Sequence, residues 1–480
     1  MKLKLVSAAV LGAFAAAPAF ALLPSTPGAS DTVIRFSGAT AQNNQIHNFM
    51  RRACVPGTLD RYRRTSNNTL YICNPAASTG LSSADKLFVY KDGDGGSGMG
   101  VQPVANATNL TFMDVTTLNT ATQCLASSAV ASVSVSGDAL GLPAFTDWSC
   151  ASHTEVNAVP DAGVSDVEPA LLGATATELA ALAITPTNAL MFGTPVTVAL
   201  RNALQTKQIA DGDLPAGCAA GNESLECMPS LSKSTVTGLF TGAITDWEMI
   251  GLAAGPVYVA RRVQTSGTQT STRVFYLNSP CASGVAQFVD SGNTAATGDA
   301  VSLCATPGAL TTFNMNGSGD VVTCMASHNT AGRFAVGVLS TENTGAGHRF
   351  VKIDGAEPTV YGAAKNRYQF VMEATAQRRT GLSGNSLTFF NSFASGLQDP
   401  AVIKPINTGF AHNFCTTDGP STTAPGAGCT GLLATALSGF TPDAAPFTAA
   451  QVIANPVMTA TKSGAGSPVN CQFLQPVWPF

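Results

Sequence analysis

Two stretches far apart in this chain share one layout. The first is a strand-like run, Val33-Ile34-Arg35-Phe36, a turn of small residues, Ser37-Gly38-Ala39-Thr40, and then Ile46, Phe49, Met50 and Ala53 at helical intervals. The second is Val257-Tyr258-Val259-Ala260, an arginine pair, and then Ser266-Gly267-Thr268 opening another helix-spaced segment. Strands alternating with helices through short turns fit few architectures. They predict an α/β fold, with a parallel-leaning sheet and helices on its faces. In such folds a ligand sits beyond the carboxyl ends of the strands, where loops meet helix starts.

Other segments fit the same alternation. Leu87-Phe88-Val89-Tyr90 reads as a strand running into a glycine-rich loop, Asp92 to Gly100. Leu190-Met191-Phe192 and Val196 to Leu200 read as buried strands broken at Pro195. Residues 231–250 predict a helix, a tight turn at Thr241-Gly242 and a second short helix. Phe334 to Leu339 and Tyr368 to Met372 predict two more strands. Residues 101–160, rich in Ala, Thr, Ser and Val, read as an insertion, and the chain beyond about residue 405 as an irregular tail tied by cysteines.

At 480 residues the chain exceeds what one hydrophobic core organises, so two or three domains are expected. Hydrophobic residues make up 45% and charged ones 11%, which excludes disorder by composition. The start, with Lys2 and Lys4, an apolar run from Leu5 to Ala17 and the small-x-small site Ala19-Phe20-Ala21, is expected to be a secretory signal peptide over residues 1–21. No later apolar run is long enough to span a membrane. The net charge of −4 argues against nucleic acid as a partner, so any anion would have to be held by local donors. Twelve cysteines in an exported chain read as disulfides. Nearness in sequence suggests Cys54–Cys73, Cys124–Cys150, Cys218–Cys227 and Cys415–Cys429, although spacing alone does not fix the pairing. No C-x-x-C is present to support a zinc site.

Four motifs bear on chemistry. In the second layout Ser266 is placed as N-cap, with Gln269 three residues on, a capping box. The N–H groups of the first turn, the hydroxyls of Ser266 and Thr268 and the approach allowed by Gly267 suit an anion. Arg262, at the strand end, adds a charged fork. Thr40 occupies the equivalent place in the first layout. Ser97, flanked by glycines, offers a nest of donors. The same loop invites a calcium reading through Asp92 and Asp94, but the twelfth position of an EF-hand is Pro103. The fourth motif is Gly163-Val164-Ser165-Asp166. An aspartate in an anion site can only accept, so it demands a proton on the ligand oxygen. Phosphate carries one near neutral pH and sulfate does not, a difference of several kcal/mol or roughly a thousandfold or more. Taken singly, each motif also fits an ordinary turn or capped helix.

An enzyme is disfavoured. There is no G-x-S-x-G, no H-E-x-x-H and no P-loop, and His47, His153, His328, His348 and His412 read as unpaired surface or loop residues. A phosphate-ester hydrolase and a secreted adhesion or surface protein are the alternative readings. Arg51, Arg52, Arg61, Arg63 and Arg64 read as a solvated face or, alternatively, a docking patch.

In this order the motifs resemble the periplasmic phosphate-binding proteins of ABC transporters, of the type II periplasmic-binding-protein class. The resemblance rests on Gly38-Ala39-Thr40, Ser97-Gly98-Met99-Gly100, Gly163 to Asp166, and Arg262 with Ser266-Gly267-Thr268. Leu239 to Trp247 and Ala335 to Val338 match outside the site, and the whole covers most of residues 33–375. It implies two lobes closing over a ligand: residues 22–195 with 366–480, and residues 196–365. It implies hydroxyl donors from Thr40, Ser97, Ser266 and Thr268, and N–H donors from Ala39, Thr40, Gly267 and Thr268. Arg262 would supply the charge and Asp166 the acceptor. It further implies a monomeric, cofactor-free binding protein, periplasmic or secreted, that captures phosphate or a similar oxyanion and delivers it to an ABC permease. Gln42 and Asn43 depart from the family's pattern after the first motif, as do the long insertion, the acidic loop before Ser97 and the tail.

Overall fold

The computed structural model describes residues 24–477 apart from residues 66, 125–131, 136–140, 151–152, 285–287, 289–300, 410, 413–414, 417–418, 421–425, 428–429, 435–447 and 463–468. The expected signal peptide and the Cys415–Cys429 pairing lie outside the described residues.

The fold is mixed α/β, built on two principal sheets. In chain order the strands are β1 (Thr32–Gly38), β2 (Asp60–Arg63), β3 (Asn68–Cys73), β4 (Leu87–Asp92), β5 (Ser132–Val135), β6 (Phe145–Ser149), β7 (Ala162–Ser165) and β8 (Leu182–Gly193). They continue as β9 (Pro195–Thr197), β10 (Tyr258–Arg262), β11 (Thr312–Met315), β12 (Ala335–Gly337), β13 (Leu339–Ser340), β14 (His348–Phe350), β15 (Val371–Arg379) and β16 (Leu432–Ala434). The larger sheet runs β13-β8-β15-β7-β1-β4-β3-β2-β6-β5, with β16 also on β8; the smaller runs β11-β10-β12-β9-β14.

Parallel pairing is confined to one trio in each sheet, central in the larger sheet and at one edge of the smaller, apart from the β2–β6 pair near the edge of the larger one. There β1 lies between β4 and β7, and β10 lies between β11 and β12. The strands beside these trios run antiparallel. The result is two small parallel trios, each presenting carboxyl ends, the one in the larger sheet flanked by antiparallel strands on both sides and the one in the smaller sheet on one. The residues expected to be an insertion contribute β5 and β6, which extend the sheet beyond β2.

The predicted strand Val196 to Leu200 is half strand and half helix. After β9, helix α2 (Val198–Asp211) begins, because the Thr197 hydroxyl accepts the Leu200 N–H and caps it, and helix α3 (Lys233–Thr241) follows. The break falls at Thr194, where the chain leaves the larger sheet for the smaller. The predicted strand Phe334 to Leu339 divides at Val338, β12 lying in the smaller sheet and β13 in the larger. The strand expected at Tyr368 begins at Val371, since the Tyr368 hydroxyl is turned to the Phe192 carbonyl.

Two helices pack beneath the β1 end. Helix α1 (Asn43–Ala53) buries Ile46, Phe49 and Met50, as its spacing predicted. Phe36 meets Phe389 and Phe393 of a later helix (Gly384–Gly396) at ring-centroid distances of 6.4 and 4.3 Å. Of the arginines near α1, Arg52 and Arg64 are exposed as a solvated face would have them, but Arg51, Arg61 and Arg63 are turned onto the protein. Arg61 and Arg63 both fork onto Asp147, and Arg51 donates to the Leu142 and Pro143 carbonyls. His328 and His348 are buried rather than at the surface. His328 stacks on Tyr258 with ring centroids 4.7 Å apart.

Five disulfides join described residues. Cys54–Cys73, Cys124–Cys150 and Cys218–Cys227 follow nearness in sequence, and Cys304–Cys324 spans 20 residues. The fifth, Cys281–Cys471, spans 190 and fastens the C-terminal segment to the end of helix α4 (Gly267–Leu277). A buried polar network holds the same segment to the larger sheet. Asn470 donates its N–H to Glu168 and accepts the Glu373 N–H at 2.8 Å, while Thr461 and the Lys462 N–H bond the Glu373 carboxylate. The tail therefore bridges the two sheets. Replacing both Cys281 and Cys471 by Ser is expected to lower stability by about 2–4 kcal/mol, read as an earlier urea-unfolding midpoint. An unchanged midpoint would show that the polar network alone holds the tail.

Candidate functional site

The loops leaving β1, β4, β7 and β10 converge, and their backbones lie nearly in contact. A Cβ on Gly163 would stand 1.9 Å from the Gly100 carbonyl oxygen, and one on Gly38 2.2 Å from that of Val164. Only glycine permits this approach, and Gly38 also holds a φ of +107°. Hydrogen bonds join the same loops: Ala39 N–H to Val164 O at 2.9 Å, Ser37 Oγ to Met99 O at 2.8 Å, and Gly98 N–H to Thr265 O at 2.9 Å. The last one ties the larger sheet to the smaller.

At the centre of this convergence is the start of α4. A Cβ on Gly267 would lie 2.2 Å from Ser97 Oγ and 2.6 Å from Asp166 Cβ. The Asp166 N–H donates to Ser97 Oγ at 3.1 Å, while the Ser97 hydroxyl and the Thr268 N–H both bond the Asp166 carboxylate. Asp166 thus caps α4 from the opposite sheet. The predicted capping box does not form, because Gln269 Oε1 reaches past Ser266 to the Arg262 N–H at 3.3 Å. Putting a carboxylate at the positive end of a helix is the favourable electrostatic arrangement.

Ala39, Ser97, Asp166, Ser266, Gly267 and Thr268 are all buried in this convergence, and Thr40 is half-buried with its methyl facing Gly93. The Ala39 N–H, expected as a ligand donor, is spent on Val164. Arg262 is buried at the end of β10, but its guanidinium turns to the end of β11 and the loop after it, bonding the Met315 and Asn316 carbonyls and Ser318 Oγ. Its charge still reaches Asp166. Two polar atoms at the centre have no hydrogen-bond partner among the described residues: Asp166 Oδ1 and Thr268 Oγ1. Buried groups of this kind are uncommon and mark a place where something polar is accommodated.

Sequence reading missed several supports. Gln42 is fully buried and donates to the Ser165 carbonyl at 2.9 Å, and Gln377 donates to Gly100 O at 2.6 Å. Lys91, buried at the end of β4, donates to Gly38 O at 2.8 Å. Its signal was visible: a lysine inside the apolar run LFVYK, directly before the loop. Glu342, buried and with Oε2 unpartnered, has no comparable signal.

The charges here are strained by burial. Burial pushes the Asp166 carboxyl up to about 6, against the opposing pull of Arg262, the Ser97 hydroxyl and Lys91. Glu342 is pushed up to about 7 by burial, with Asp166 adding to the rise. The acidic loop before Ser97 is internally satisfied, Asp94 accepting from Asn67 and Asn68 and Asp92 from the Asp94 N–H.

One group outside this convergence has metal-ligand types within reach of each other: Cys304, Cys324 and His328. Its sulfurs are joined in a disulfide, and His328 Nδ1 accepts from Arg333 Nε at 3.1 Å, which places the ring proton on Nε2. Those donors do not suit a metal ion.

No protein-family model matches the chain, and no curated protein matches it significantly. Among solved structures it is similar to a Clostridium perfringens protein assigned as a phosphate ABC transporter substrate-binding protein, with bound phosphate. Identity is 12% over 78% of this chain and 98% of that one, with a TM-score of 0.42. It is similar to an ABC-type phosphate transport receptor from Vibrio cholerae, at 16% identity over 52% and 77% of the two chains and a TM-score of 0.31. It is also similar to PstS from Borrelia burgdorferi, at 11% identity over 78% and 97% and a TM-score of 0.35. These similar structures are all phosphate-transport binding proteins. Superpositions this loose carry no weight for the chemistry, which rests on the loops above.

A carboxyl whose pKa rises on folding binds its proton more tightly in the folded chain, so its share of stability is lost as pH rises through the range from about 4 to 6. Asp166→Asn removes that loss. In phosphate-free buffer the variant is expected to be more stable than wild type by up to about 3 kcal/mol at pH 8, with the gap closing towards pH 4. Urea unfolding at several pH values checks this; a gap that is flat, or widens in acid, contradicts it.

Proposed function

We propose that the chain is an exported solute-binding protein that captures inorganic phosphate, or a closely similar protonated tetrahedral oxyanion, between its two sheets. It would deliver its ligand to an ABC permease rather than transform it. One observation carries this reading: a buried carboxylate oxygen without a donor, Asp166 Oδ1, stands beside a buried hydroxyl without a partner, Thr268 Oγ1, at the start of an eleven-residue helix. An ionised carboxylate accepts and does not donate, so the ligand must bring a proton. The helix start and two buried cations, Arg262 and Lys91, favour a ligand that is also negative. A protonated oxyanion such as phosphate satisfies both demands. Thr40, Ser266 and the Gly267 backbone would supply further donors, the Ser97 hydroxyl being spent on the Asp166 carboxylate, and Arg262 the nearest full charge from the smaller sheet.

Export is supported by the five disulfides, which suit an oxidising compartment, and by the signal-like start. No helix among the described residues is long and apolar enough to cross a membrane.

Calorimetric titration at pH 8 is expected to show one phosphate bound per chain and no competition from sulfate in a thousandfold excess. Arg262→Ala is expected to weaken phosphate at least tenfold. Because Asp166 gains its proton near pH 6, discrimination against sulfate is expected to relax below that pH. Equal affinity for phosphate and sulfate at pH 8 would defeat the acceptor role of Asp166.

A further inference from the structure

Lys91 lies on β4, an outer strand of the larger sheet's parallel trio, in register with Phe36 of the central β1. Its side chain is only 3% exposed. The ammonium donates to the Gly38 carbonyl at 2.8 Å and to the Asp92 carbonyl at 3.1 Å, and it makes no ion pair among the described residues. A cation taken out of water without a carboxylate at hand costs several kcal/mol. Two neutral carbonyl oxygens do not offset that, so a structural role alone leaves the lysine unexplained. A glutamine or a methionine would fill the same space without the charge.

The position explains what the local packing does not. Gly38 opens the turn that carries Thr40, and Asp92 opens the loop that carries Ser97. A single ammonium therefore pins the bases of two of the four converging loops. Asp166, on the third loop, feels both Lys91 and Arg262. Arg262, on the fourth, is likewise buried and likewise bonded only to neutral oxygens. Two buried cations, one from each sheet, thus share the central carboxylate. The other acidic groups around Lys91 are Asp92 and Asp94 on its own strand end and loop. Both carboxylates are engaged with the Asp94 N–H and the Asn67 and Asn68 side chains rather than with the ammonium. Glu342 reaches the group only through Asp166.

We infer that Lys91 is the second cation of the anion site, a positioning residue that sets the Thr40 and Ser97 loops in place and supplies positive charge that the bound anion completes. This rests on the reading of the site as one for phosphate. It has a consequence that Arg262 alone would not produce. Burial lowers the Lys91 ammonium to about 8, with Asp92, Asp166 and Asp94 opposing the fall, and lowers the Arg262 guanidinium only to about 10, with Asp166 and Asp320 opposing. Anion binding therefore weakens as Lys91 loses its proton, in a range where phosphate is already the dianion and Arg262 is still charged.

The experiment is phosphate calorimetry from pH 7.5 to 9.5 on wild type, Lys91→Arg and Lys91→Met. Wild-type affinity is expected to fall at least tenfold over the range. Lys91→Arg, which keeps its charge, is expected to hold its affinity nearly constant. Lys91→Met is expected at pH 7.5 to bind at least tenfold more weakly than wild type, without further loss on raising the pH. Wild-type affinity that stays flat, a fall that persists in Lys91→Arg, or a Lys91→Met variant that binds like wild type would each overturn the inference. Should Lys91→Met fail to fold, the wild-type and Lys91→Arg profiles decide alone. Absence of phosphate binding by wild type at pH 7.5 is a different result: it overturns the phosphate reading itself, whatever the variants do.

Discussion

Close approach at four glycines, three against backbone and one against side chains, is the constraint from which the site follows. Gly38, Gly100 and Gly163 bring the ends of β1, β4 and β7 so close that no side chain fits between them, and Gly267 brings the first turn of α4 against Ser97 and Asp166 from the other sheet. Each approach is local, but together they determine which polar groups share a small volume. The antiparallel strands beside the parallel trios brace this arrangement, and the bridging tail fastens the two sheets from the side.

Electrostatics then follows from exclusion of water. Asp166 keeps its charge at neutral pH only because a helix start, a serine hydroxyl and two buried cations counter the cost of its burial. The cations in turn have few partners of opposite sign. Such a group is poorly balanced as a structural core and well balanced as a receptor for a small anion that carries a proton. In the proposed function, that asymmetry, with more donors than acceptors and yet one acceptor that cannot donate, would be the chemical basis for telling phosphate from sulfate.

Much of this was legible in the chain itself. The repeated strand–turn–helix layout located both trios, and the four motifs named the loops that meet. Local rules reached that far because β-branched runs, small-residue turns and helical spacing are local properties. They failed where distant contacts intervened. Gln269 was assigned to Ser266 by spacing but is drawn to the end of β10, and its expected capping role passes to Asp166. Val198 to Leu200 carries strand-like residues but lies in a helix capped by Thr197. Arg262 was expected to aim at the ligand, yet the end of β11 and the loop after it take its guanidinium. Gln42 and Gln377 bond carbonyls more than a hundred residues away, and no local pattern marks them or the buried Glu342. The Cys281–Cys471 link was equally hidden, since nearness in sequence has no bearing on a bridge made by a returning tail.

The central claim is that one small protonated anion occupies the space between Asp166 and the start of α4. A crystal structure of the chain grown in phosphate tests it most directly. The account predicts a single tetrahedral anion within hydrogen-bond distance of Asp166 Oδ1 and the Thr268 hydroxyl. Phosphate-saturated crystals with no anion at that position, or with phosphate held only elsewhere, would contradict it.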